Sequence, residues 1–95
     1  MKVYVVVNAK FYRDTGVTDV YLRGVFSTWK QAVEQANKEF DEAVEHYKNF
    51  EDAVIDKSSW YLFSGDDDWS EEERWDIQKM ELDVAETEYV PVISI

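Results

Sequence analysis

Residues 28–50 read TWKQAVEQANKEFDEAVEHYKNF, and the spacing of their apolar side chains decides the fold class. Trp29, Ala32, Val33, Ala36, Phe40, Ala43, Val44, Tyr47 and Phe50 recur at steps of three and four. On a 3.6-residue period they form a single apolar stripe. Thr28 stands where a hydroxyl can accept from an orphan amide of the first turn, and Gln31 follows at capping-box spacing. The alanines on the stripe let the helix approach a sheet closely. Asn49 is a candidate C-terminal cap, and a break or kink is expected there. Residues 51–57 (EDAVIDK) either continue the helix or form a short second one.

A helix apolar on one side needs a second layer, and the flanking stretches supply it. Residues 2–8 (KVYVVVN) are β-branched and aromatic on both faces, as in a strand in the middle of a sheet. Asp14-Thr15-Gly16 is a turn signal within a long loop over residues 8–18. Residues 19–26 (DVYLRGVF) alternate as a hairpin partner, and Gly24 marks a bulge or a close approach by the helix. Residues 59–64 (SWYLFS) read as a third strand. Residues 66–73 (DDDWSEEE) read as an exposed loop or single helical turn. Residues 75–84 (WDIQKMELDV) form a fourth strand whose parity shifts, which a bulge near Lys79 would explain. Residues 89–95 (YVPVISI) are a last strand, placed at an edge by Pro91. The expected architecture is α+β: an antiparallel sheet of four to five strands with one long helix packed on one face, in ββαβββ-like order.

With 95 residues the chain has room for one domain, 1–95. A hydrophobic content of 45%, including 16% aromatic residues, separates it from a disordered acidic tail despite a net charge of −11. The absence of cysteine excludes disulfides, thiolate catalysis and Cys-ligated zinc. The apolar run at residues 3–7 is too short for a signal peptide, and no run approaches a bilayer span, so a soluble cytoplasmic protein is expected. Charge is segregated along the chain. Residues 1–48 carry seven basic and seven acidic groups, whereas residues 49–95 carry three against fourteen, 3 − 14 = −11. Such a surface repels nucleic acid and anionic membrane and favours basic proteins.

At Val3-Tyr4-Val5-Val6, Gly24-Val25-Phe26-Ser27-Thr28, Ala32, and Trp75-x-Ile77 followed by Glu81-Leu82-Asp83, the chain resembles a family of small uncharacterised domains from bacteria and their phages. The resemblance covers residues 2–50 and 75–83. It implies a β-hairpin leading through the Gly-Val-Phe-Ser-Thr junction into a helix, and it brings no known catalytic residue. The longer helix, residues 50–73 and the C-terminal strand depart from that pattern, and they carry most of the acid.

No constellation of catalytic groups emerges. His46 is the lone histidine, mid-helix among Glu42, Glu45 and Lys48, and reads as a solvated surface residue. The series Asp66-x-Asp68-x-Ser70-x-Glu72 fails as a calcium loop, because the glycine and bidentate glutamate positions hold Glu71 and Ile77. No metal, cofactor or enzymatic activity is expected. Trp69, ringed by Asp66, Asp67, Asp68, Glu71, Glu72 and Glu73, suits an aromatic anchor at a protein interface, or else folds back onto the sheet. Together with Asp76 these residues form the expected partner-binding set. The expected function is that of a non-catalytic acidic module that occupies a basic surface, such as a nucleic-acid-binding one, on another protein. Its sharpest form is a phage-encoded inhibitor of anti-CRISPR type that mimics nucleic acid. The alternative is a cytoplasmic bacterial domain, homodimeric through a sheet edge, whose acid serves solubility alone.

Overall fold

A computed structural model describes residues 1–65 and 69–82. Strands β1 (Lys2–Tyr12) and β2 (Val17–Phe26) precede helix α1 (Trp29–Tyr47), and β3 (Val54–Asp56), β4 (Tyr61–Gly65) and β5 (Ser70–Glu81) follow it. The strands form one antiparallel sheet in the order β2-β1-β5-β4-β3, with α1 across one face. The expected α+β architecture and its ββαβββ order are therefore present. β1 lies inside the sheet, which is why its residues are apolar on both faces: Val6 packs toward the helix and Val3 and Val5 are buried.

The hairpin is longer than its sequence suggests. Lys10, Phe11 and Tyr12 belong to β1 and not to a loop, and only residues 13–16 turn the chain. Gly16 at φ 68° closes that turn, its amide donating to the Tyr12 carbonyl at 2.9 Å. The bulge expected at Gly24 is real: Val6 pairs with Gly24 but Val7 with Leu22, so Arg23 is the extra residue. The close approach there comes from Phe26, not the helix. A Cβ on Gly24 would lie 2.7 Å from the Phe26 ring.

Helix α1 starts and stops as its caps dictate. Thr28 Oγ1 accepts from the Gln31 amide at 3.2 Å, while the Gln31 side chain accepts from Ser27. The Asn49 side chain donates to the carbonyls of Glu45 and His46, which ends the helix two residues earlier. Its stripe buries Ala32, Ala36, Phe40 and Tyr47 against Val6, Leu62 and Trp75, with Phe40 and Trp75 edge to face at 5.8 Å. Trp29 is an exception on that stripe, half exposed and edge-on to Tyr4.

Residues 51–57 neither extend the helix nor form a second one. The β-branched pair Val54-Ile55 makes a short edge strand, β3, paired with β4. The carboxylate of Asp56 then accepts from the Ser58 amide and from the Ser58 and Ser59 hydroxyls, turning the chain back. That turn ends on Trp60 at φ 49°, held there by its indole N–H donating to Asn37 Oδ1 at 2.9 Å.

The largest departure concerns β5. It begins at Ser70, five residues before the expected Trp75, so Glu71, Glu72 and Glu73 are strand residues and not a loop or helical turn. Its register with β1 runs unbroken from Tyr12↔Glu71 to Lys2↔Glu81, so there is no bulge at Lys79. The expected final strand over residues 89–95 lies outside the described residues.

Candidate functional site

Strand alternation and the helical row converge on one cleft. On β5, alternate residues Glu71, Glu73 and Trp75 face α1, and the paired β1 contributes Asn8 and Lys10. β2 adds Tyr21 and the bulged Arg23, and α1 adds Glu39, Glu42, Ala43, His46 and Tyr47. Together they border an open cleft of about 710 Å³ beside the apolar core. Its fixed charges are Lys10 and Arg23 against Glu39, Glu42, Glu71 and Glu73, 2 − 4 = −2 with His46 neutral.

The three deepest carboxylates differ in how well they are matched. Glu39 is 8% exposed and fully engaged: it accepts from Arg23 Nε, from the Gln35 amide and, at 3.5 Å, from the Trp75 indole N–H. Glu73 is 5% exposed and accepts from the Asn8 amide at 3.0 Å, while Lys10 stands off at 3.8 Å. Burial raises its carboxyl above the ordinary value, and the Lys10 charge and the Asn8 bond oppose that rise. Glu71, 8% exposed, faces His46 Nε2 at 3.6 Å. Beside this pair the Tyr47 hydroxyl is buried and faces Glu71, but among the described residues it makes no hydrogen bond of acceptable geometry. Burial pushes its phenol far above the ordinary value, and the charges of Glu71 and Glu73 push it further. A site so arranged can accept hydrogen bonds and hold positive charge. Among the described residues, no group of three or more His, Asp or Glu is placed to hold a metal ion.

Of the residues expected to bind a partner, the four on β5 divide between its two faces. Asp66, Asp67 and Asp68 lie outside the described residues. Trp69 is half-buried, its ring 5.9 Å from that of Phe50, which follows the helix. Glu71 and Glu73 enter the cleft, whereas Glu72 and the exposed Asp76 stand on the opposite face of β5. His46 is largely exposed as expected, but it also borders the cleft and meets Glu71. Lys10, Arg23, Glu39 and Tyr47 were not singled out by sequence as site residues. A signal for Glu39 existed: it falls on the same three-and-four row as Ala32, Ala36 and Ala43. A charge there requires a buried partner.

Residues 1–60 match the model of a family described as a domain of unknown function, DUF7336. The match spans β1, β2, α1 and β3 and stops before β4 and β5, which bring Glu71, Glu73 and Trp75 to the cleft. No curated protein and no solved structure matches the chain. No helix among the described residues is long and apolar enough to cross a membrane.

Proposed function

We propose that this chain, which belongs to the DUF7336 family of domains of unknown function, is a non-catalytic acidic module that binds a basic surface of another protein in the bacterial cytoplasm. The observation that carries the reading is the concentration of the entire net charge of −11 after residue 48. An excess needed only for solubility would be interspersed with basic residues over the surface. The cleft agrees in sign: its fixed groups sum to −2, and its walls include Tyr21 and Trp75. In its sharper form the acid imitates nucleic-acid phosphates, and the protein is a phage-encoded inhibitor of the anti-CRISPR or anti-defence kind. That form draws on the phage-associated resemblance.

Immobilised protein incubated with bacterial lysate at low and high salt tests the reading. Basic proteins are expected to be retained at about 50 mM salt and released at about 500 mM, because screening shortens the reach of the field. Duplex DNA should displace them if phosphate mimicry is correct. Absence of any basic protein at low salt would sink the interaction reading, and indifference to DNA would remove the mimicry alone.

A second reading has one observation behind it. β2 is the terminal strand of the sheet, and its Val17, Val20, Leu22 and Val25 are exposed. Such an edge can pair with a second copy. Sedimentation of the purified chain at several concentrations decides whether it dimerises.

A further inference from the structure

The cleft is only partly matched, and its open part has a definite chemistry. Among the described residues, the ionisable partner of buried Glu71 is His46, which is a cation only when protonated. The Lys10 ammonium is beyond hydrogen-bond reach of Glu73. The Tyr47 oxygen is an independent observation: the residue is 1% exposed, borders the cleft, and its hydroxyl, although beside Glu71, makes no hydrogen bond of acceptable geometry among the described residues. A buried carboxylate without a fixed cation and a buried orphan hydroxyl both cost stability. Both costs fall when a cationic donor enters between them.

The geometry points to the cleft between α1 and β2–β1–β5 as a receptor for an arginine side chain of the partner, carried on a short basic segment. This rests on the interaction reading above and names what the partner must present. Glu71 and Glu73 are alternate residues of one strand, about 7 Å apart along it. A compact ammonium serves one of them well, whereas the planar fork of a guanidinium has five donors for both carboxylates and the Tyr47 oxygen. Tyr21 and Trp75 border the same space, and guanidinium stacks on aromatic faces. At about 710 Å³ the cleft exceeds one side chain, so residues flanking the arginine enter too.

The test is a titration of ¹⁵N-labelled full chain at low salt with the blocked peptide acetyl-Gly-Arg-Gly-Arg-Gly-amide, set against its lysine counterpart. The expected result is shifts at Glu71, Glu73, Tyr47 and the Trp75 indole, with the arginine peptide binding more tightly. Glu71→Gln should weaken it at least about tenfold, the loss of a charge-assisted pair. The exposed Glu51→Gln, which makes the same change in net charge, should weaken it less than about twofold. Tyr47→Phe, which leaves net charge alone, should weaken it about threefold and guards against a folding defect in Glu71→Gln. If all three variants bind like the native protein, or if the shifts map to exposed acids while binding stays salt-sensitive, the cleft assignment is overturned and the basic-surface reading survives. If neither peptide binds at low salt, the cleft assignment falls, and retention of basic proteins from lysate decides the basic-surface reading separately.

Discussion

Tyr47 has an apolar body packed among Phe40, Leu62 and Trp75 and a hydroxyl that, among the described residues, lies beside Glu71 without a hydrogen bond of acceptable geometry. The ring contributes to the core, while the oxygen loses its hydration and gains no well-formed bond among the described residues. Tyr47→Phe is therefore expected to stabilise the fold by about 1 kcal/mol in urea denaturation. Destabilisation would mean that the oxygen has a partner after all. Glu73 gives a pH-dependent counterpart. Its folded carboxyl titrates above the ordinary value because it is buried, so the native state binds more protons than the unfolded one between those two values. Stability from this group therefore falls as pH rises from the ordinary carboxylate range through the folded value, and is level above it. Glu73→Gln removes the charged form and leaves an oxygen to accept from Asn8. Its stability relative to the native protein should be more favourable at pH 7 than at pH 4. Equal differences at both pH values would show that burial does not control this carboxylate.

At the scale of elements, the helix was the most legible part of the sequence because three signals agreed on it. The period, the Thr28 cap and the Asn49 stop each specify the same segment, and each is made in the structure. Thr28→Ala should cost about 1 kcal/mol, with Thr28→Ser near neutral, as read by thermal denaturation. Strand β5 was legible only from Trp75 onward. Glu71-Glu72-Glu73 has no alternation of polarity, so it reads as a solvated run. The alternation is one of direction, with Glu71 and Glu73 inward and Glu72 outward, imposed by pairing with Tyr12, Lys10 and Phe11. Those partners lie about 60 residues away in the chain, and no local propensity encodes them. The cleft was hidden for the same reason, since its acids, cations and aromatics come from four elements. The β3–β4 turn is a smaller case. Trp60 occupies a left-handed conformation that its type disfavours, and the Asn37 bond across to α1 holds it there. Trp60→Phe keeps the strain but loses that bond, and should cost about 1–2 kcal/mol.

At the scale of the molecule, a net charge of −11 on 95 residues acts on stability and on association in opposite ways. Repulsion among exposed acids such as Glu51, Asp52, Asp76 and Glu81 opposes the compact state. The same repulsion is a field that draws in a basic partner. The favourable ion pairs that salt would weaken include exposed ones, Lys57 with Asp41 and Lys48 with Glu45, each worth at most about 1 kcal/mol. The pair between Arg23 and Glu39 is partly buried and is screened much less. Screening should therefore remove more repulsion than attraction. Raising salt from about 50 mM to about 500 mM, over which the Debye length shrinks well below the size of the domain, should raise Tm while it weakens capture of basic proteins. The two measurements are made on one preparation, and their opposite signs are the signature of a charge excess used for binding at a cost in stability. A Tm that falls with salt would mean that the ion pairs outweigh the repulsion, and that the acidic half is internally compensated instead of open to a partner.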